Sequence, residues 1–230
     1  MAAHAGLPSF ADAVNVHRPK AEASAFYAGW YSFEHPGGAF EVCLRPGGVF
    51  YAPDFPSNSR WCAMGETKVG IAWGKYGNYE LTIVGEPARR EFAGSAVPPS
   101  PGDAPGPNDW RKMRLVRPLS PAETRLLSPT GGGTEWKFEY QGGRFGVQFR
   151  GDGYNHFHCS QYQAHSHWKL AGDELTISWG QYGTYVMKLS GDAAVGHAVG
   201  NPSDWRKMAY IRDLDHHESS ESCSHDHDHA

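Results

Sequence analysis

No run of about 18 apolar residues occurs in this chain of 230 residues, so a membrane-spanning helix is not expected. The first 25 residues lack a basic segment followed by an apolar one, which argues against a secretory signal. The four cysteines, Cys43, Cys62, Cys159 and Cys223, make no Cys-x-x-Cys pair and no disulfide framework. Reduced thiols and a cytoplasmic location are the expectation. Neither sign of charge dominates. A formal net charge of −4 gives no field that would draw nucleic acid or anionic lipid, so neither is expected as a partner. Gly-x-Ser-x-Gly, the phosphate-binding P-loop, Gly-x-Gly-x-x-Gly and His-Glu-x-x-His are all missing, which removes the commonest signposts of hydrolase, nucleotide and metalloprotease chemistry.

Glycine, proline and aromatic rings are plentiful. With 28 Gly, 16 Pro and 13% aromatics, the chain disfavours long helices and suits short strands joined by turns around ring-built cores. The clearest pattern is Trp179-Gly-Gln-Tyr182-Gly-Thr-Tyr185, which repeats the earlier Trp73-Gly-Lys-Tyr76-Gly-Asn-Tyr79. Ahead of the later copy, Leu175, Ile177 and Trp179 alternate with polar residues, the period of a strand with one face in a core. Asp109-Trp-Arg-Lys-Met113 recurs unchanged as Asp204-Trp-Arg-Lys-Met208. Matching Trp136 to Trp30 and Trp168 to Trp61 extends the duplication across both halves.

These repeats predict an all-β chain: an N-terminal arm over 1–25, a first barrel over 26–119, a short helix and glycine linker over 120–133, a second barrel over 134–214, and a His/Asp-rich tail over 215–230. Within the arm, Ser9–Val16 reads as one or two helical turns. Ser120-Pro-Ala-Glu123 has the form of a capping box with proline at the first helical position. Each repeat offers seven or eight short strands, and closing each into a small antiparallel barrel removes exposed edges. One larger barrel built from both repeats is the alternative. The succession of short strands and tight turns resembles the calycin group, the lipocalin-like and streptavidin-like up-and-down barrels. That resemblance implies a bound small ligand. The lipocalin Gly-x-Trp is replaced here, since Ala28 and Thr134 stand two positions before Trp30 and Trp136.

Histidine is the residue most unevenly placed. His156, His158, His165 and His167 cluster in the second repeat, and residues two apart on a strand share a face. Imidazole is the commonest protein ligand for Zn, Ni, Cu or Fe, so a divalent transition metal is a candidate cofactor there. Strict alternation instead turns all four outward onto a solvated face, since Phe157 and Trp168 claim the inside. The matching segment of the first repeat, 50–60, has no histidine. The tail adds His216, His217, His225, His227, His229 and Cys223, a composition that chelates divalent metals without fixed geometry. Cys159 beside His158 is a poor nucleophile pair, because neighbours on a strand face opposite sides.

Trp168, Trp179, Tyr182, Tyr185 and Arg206 are the candidate ligand-binding residues. The Trp-Gly-x-Tyr turns read first as scaffold, with glycine allowing sharp bends and rings filling the barrel. Arg111 and Arg206 could clamp an anion at each barrel mouth, or simply remain wet beside a neutralising aspartate. Three functions fit: a small-ligand or metal-binding module with its site in repeat two around the four-histidine cluster, a His-metal enzyme in that barrel (hydrolase, isomerase or lyase type), or a scaffold that docks a protein through the Pro-rich 97–108 loop.

Overall fold

The computed structural model describes residues 21–98, 100 and 103–215. The expected turns over Ser9–Val16 and the histidines and cysteine of the tail lie outside the described residues. Among those described, the chain divides into two compact units, the first running to Leu44 and from Gly48 to Pro118, the second from Leu119 onward with Arg45–Gly47.

Unit one begins with helix α1 (Ala21–Tyr27) and continues through β1 (Gly29–His35), β2 (Gly38–Leu44), β3 (Phe50–Tyr51), β4 (Arg60–Met64), β5 (Lys68–Ala72), β6 (Asn78–Ile83), β7 (Glu91–Ala96) and β8 (Trp110–Arg117). Unit two begins with α2 (Pro121–Leu127), then β9 (Gly133–Tyr140), β10 (Gly143–Arg150), β11 (Phe157–His158), β12 (His167–Ala171), β13 (Glu174–Ser178), β14 (Thr184–Ser190), β15 (Ala193–Ala198) and β16 (Asn201–Asp213). Each unit is an eight-stranded antiparallel sheet in which consecutive strands pair except the third and fourth, and the first also pairs with the last. This is an up-and-down meander curled into a nearly closed barrel, two barrels in tandem and not one large one.

The remaining gap in each barrel is bridged by a single residue pair. In unit one Val49 meets Arg60, with Phe50 N donating to Ser59 O at 3.2 Å. In unit two His156 meets His167, with Phe157 N donating to Ser166 O and Trp168 N to Asn155 O, both at 2.9 Å. Among the described residues, this bridge shortens the open strand edge that another chain could extend.

The interiors are packed with side chains. Tyr31, Phe33, Val42, Leu44, Trp61, Ile71 and Leu81 have essentially no exposure in barrel one; Trp136, Phe138, Val147, Phe149, Leu175, Ile177 and Met187 fill barrel two in the same way. Register corrects one expected match. Phe33 faces Phe40 and Met113, as Phe138 faces Phe145 and Met208, so Trp136 corresponds to Tyr31 and not to Trp30. A shift of one residue changes the face: Trp30 sits against Tyr51 and Arg117, whereas Trp136 is fully buried in the core.

Segment 120–133 is tighter than a linker. Ser120 Oγ accepts from Glu123 N at 3.1 Å and Glu123 Oε2 accepts from Ser120 N at 2.7 Å, closing the capping box. Leu126 and Leu127 are buried in the core of barrel two. A Cβ on Gly132 or Gly133 would overlap the carbonyls of Leu214 and Phe149, so these glycines permit close backbone approach where slack was expected.

Candidate functional site

The open end of barrel two is a cavity of about 150 Å³ walled by aromatic rings and one guanidinium. Strand β9 supplies Phe138 and Tyr140, the β9–β10 hairpin brings Phe145 opposite Phe138, and the loop before β12 adds Tyr162. Trp179, Tyr182 and Tyr185 come from the repeated Trp-Gly-x-Tyr-Gly-x-Tyr turn, and Arg206 from β16. Gly180 and Gly183, at φ 47° and 96°, allow the 3-10 turn that carries Tyr182.

Backbone acceptors hold two of the rings in place. Trp179 Nε1 donates to Tyr162 O at 3.0 Å, and the Tyr185 hydroxyl donates to Tyr182 O at 2.7 Å. Phe145 and Tyr162 lie 4.9 Å apart between centroids, Tyr162 and Tyr182 5.6 Å, and Trp179 and Tyr182 5.6 Å, within the range of favourable edge-to-face contact. Tyr162's phenol is raised above its ordinary pKa, chiefly by its hydrogen bond with Tyr140.

Arg206 is buried with its charge already answered. Its guanidinium lies 4.8 Å from the Tyr185 ring centre and 5.6 Å from that of Tyr140. It donates through both terminal nitrogens to the Asp204 carboxylate, and through Nη1 to Trp205 O at 2.8 Å. The hydrogen bond from Arg206 holds the Asp204 carboxyl below its usual value. The wall is therefore close to neutral.

Of the expected ligand contacts, Trp179, Tyr182, Tyr185 and Arg206 line this cavity, and Trp168 does not. Trp168 is taken up by the core, its Nε1 donating to Arg150 O at 3.0 Å. Phe138, Tyr140, Phe145 and Tyr162 were not among the sequence candidates. Their signal is the inward alternation of Trp136, Phe138 and Tyr140, combined with a hairpin register that places Phe145 beside Phe138.

The histidines occupy a different part of barrel two, on the outer side of its seam. The His167 ring centre lies 5.1 Å from that of His156 and 4.5 Å from that of His165, with the two Nε2 atoms of His165 and His167 2.9 Å apart. His156 Nδ1 meets Asp152 Oδ2 at 2.6 Å, and His167 Nδ1 donates to Tyr154 O at 2.9 Å. Asp152 Oδ1 also accepts from Tyr154 N and His156 N, at 3.0 and 3.2 Å. Burial works against the Asp152 anion, yet these bonds and the His156 charge keep its carboxyl below the usual value. His158, paired with Gln148 on β10, belongs to the neighbouring stretch of strand, and burial followed by the Arg150 charge lowers its pKa. His167 is lowered too, first by burial. Among the described residues, no group of three or more His, Cys, Asp or Glu side chains is arranged to hold a metal ion. No helix among them is long and apolar enough to cross a membrane.

No family model, curated protein or solved structure matches this chain.

Proposed function

We propose that this protein is a small-molecule binding module whose site is the aromatic mouth of barrel two, and that its ligand is a neutral molecule about one ring in size. The supporting observation is the wall itself: seven rings and one neutralised guanidinium line an open cavity of about 150 Å³ at the end of an otherwise packed barrel. An apolar cavity of about 150 Å³ accepts a benzene-sized molecule. A ring entering here meets edges and faces already fixed by backbone hydrogen bonds, so little ordering entropy is lost on binding. The rim hydroxyls of Tyr140 and Tyr162 favour a ligand carrying one polar substituent, with phenol the simplest probe. Up-and-down barrels of the lipocalin-like and streptavidin-like kind hold small ligands, and the closed meander order supports placing this chain beside them. Their deep central calyx is not part of this reading, because Trp136, Phe149 and Trp168 fill the centre.

Calorimetric titration with phenol tests the proposal. Saturable binding is expected, weakened about fivefold to tenfold in Tyr182→Ala, since one aromatic contact is worth about 1 kcal/mol beyond its area. Absence of binding at millimolar phenol, or equal affinity in the variant, would refute it.

A second reading, a transition-metal site at the seam, draws support from the Nδ1 bonds of His156 and His167. Ligating histidines usually spend one ring nitrogen on a carboxylate or carbonyl and leave the other for the metal. Capture would require the exposed His165 ring to turn away from its contact with His167. Protein lacking residues 215–230 should then bind one Zn(II) or Ni(II), and His167→Ala should bind none. Retained metal in His167→Ala would assign the affinity elsewhere.

A further inference from the structure

Barrel one carries the same arrangement of rings. Phe33, Phe40, Trp73, Tyr76 and Tyr79 stand where Phe138, Phe145, Trp179, Tyr182 and Tyr185 stand in barrel two, with Phe55 in place of Tyr162. The ring spacings agree closely. Phe40 and Phe55 are 4.9 Å apart, like Phe145 and Tyr162; Phe55 and Tyr76 are 5.6 Å apart, like Tyr162 and Tyr182. Phe33 and Trp73 lie at 5.8 Å, Phe138 and Trp179 at 5.7 Å. The holding bonds recur as well: Trp73 Nε1 donates to Phe55 O at 3.3 Å and the Tyr79 hydroxyl donates to Tyr76 O at 2.5 Å. Arg111 covers Tyr79 at 5.1 Å, as Arg206 covers Tyr185 at 4.8 Å.

The difference lies in charge. Asp204 clamps Arg206, but its counterpart Asp109 turns away and accepts from Gly106 N at 2.6 Å. Arg111 donates instead to the carbonyls of Asn108 and Trp110, at 3.1 and 2.8 Å, and among the described residues no carboxylate pairs with it. Tyr140 is replaced by His35, next in register to the Glu34–Lys112 pair and therefore opposite Arg111. Gly37 N donates to His35 Nδ1 at 3.2 Å, so the ring's remaining N–H is at Nε2, a second donor at this mouth.

We infer that the mouth of barrel one is a second ring-binding site, selective for a planar ring bearing a carboxylate, with Arg111 answering the negative charge. The inference rests on the ring-binding reading of barrel two and extends it to a second ligand class. A guanidinium beside the rings offers a carboxylate a charge-assisted hydrogen bond, stronger than one between neutral groups.

Calorimetric and tryptophan-fluorescence titrations with benzoate and with phenol separate the two mouths. Benzoate is expected to bind one site, with affinity falling about tenfold in Arg111→Gln, the loss of one charged hydrogen bond. Its affinity should also drop in Tyr76→Ala, hold in Tyr182→Ala, and fall with added salt. Asp204→Asn, which unclamps Arg206, should create a second benzoate site, a gain that misfolding does not produce. Benzoate that fails to bind while phenol still titrates barrel two would overturn the inference and leave the barrel-two reading intact. Benzoate affinity indifferent to both Arg111→Gln and Tyr76→Ala would overturn it equally, and loss of phenol binding as well would remove both.

Discussion

Arg206 shows how one neighbouring residue sets the chemistry of a shared scaffold. The same Asp-Trp-Arg-Lys-Met stretch gives a clamped guanidinium in barrel two and, among the described residues, one that no carboxylate pairs with in barrel one, because Asp109 turns to Gly106 N at 2.6 Å. The seam histidines carry the clearest residue-scale prediction. Burial lowers the pKa of His158 and of His167, so the unfolded chain takes up protons near the ordinary imidazole value of about 6.5 while the folded protein still resists them. Stability contributed by these rings is therefore full above that pH and is lost as pH falls through it toward the lowered folded values. Asp152, also lowered, adds a further loss in stronger acid. The urea midpoint should fall between pH 7.5 and 5.5, and His158→Asn combined with His167→Asn should flatten the drop. A midpoint that rises toward pH 5.5 would reverse the assigned sign.

Two strand glycines and one cap decide much at the scale of the elements. Gly94 on β7 and Gly196 on β15 occupy matching places, and an added Cβ would overlap the carbonyl of Glu80 or Val186 and lie 2.8 Å from Leu81 Cα or 2.6 Å from Met187 Cα. Backbone cannot yield as a side-chain tip can, so Gly196→Ala should cost about 3 kcal/mol in urea unfolding. A loss below about 0.5 kcal/mol would show that β14 and β15 move apart freely. Ser120→Ala, which opens the capping box of α2, should cost about 1 kcal/mol by the same measurement. The capping box, the strands and their faces were legible in the sequence, because alternation and turn residues act locally. Register was not: Trp136 resembles Trp30 by residue type, and only the pairing of Phe138 with Phe145 and Met208 places it with Tyr31. The glycines of 131–133 misled for a related reason. Glycines that permit close packing against Leu214 and Phe149 have the composition of a flexible linker.

Viewed as a whole molecule, the chain is one barrel plan used twice, with filled centres and aromatic rings gathered at one end of each barrel. Half of the barrel-two wall was legible because Trp179, Tyr182 and Tyr185 sit in one repeated motif and Arg206 in the other. The other half was hidden because Phe138, Tyr140, Phe145 and Tyr162 meet them only after the sheet closes. The sequence also merged two places that the fold separates, the histidine seam on the outside and the aromatic cavity at the mouth. The most direct test of barrel two as a ring-binding site is an NMR titration of the tryptophan indole N–H signals with phenol. The Trp179 signal, whose N–H donates to Tyr162 O at 3.0 Å beside the cavity, should shift saturably while those of the buried Trp136 and Trp168 stay in place. A stationary Trp179 signal, or saturable shifts centred on Trp136 and Trp168, would contradict a ligand seated at that mouth.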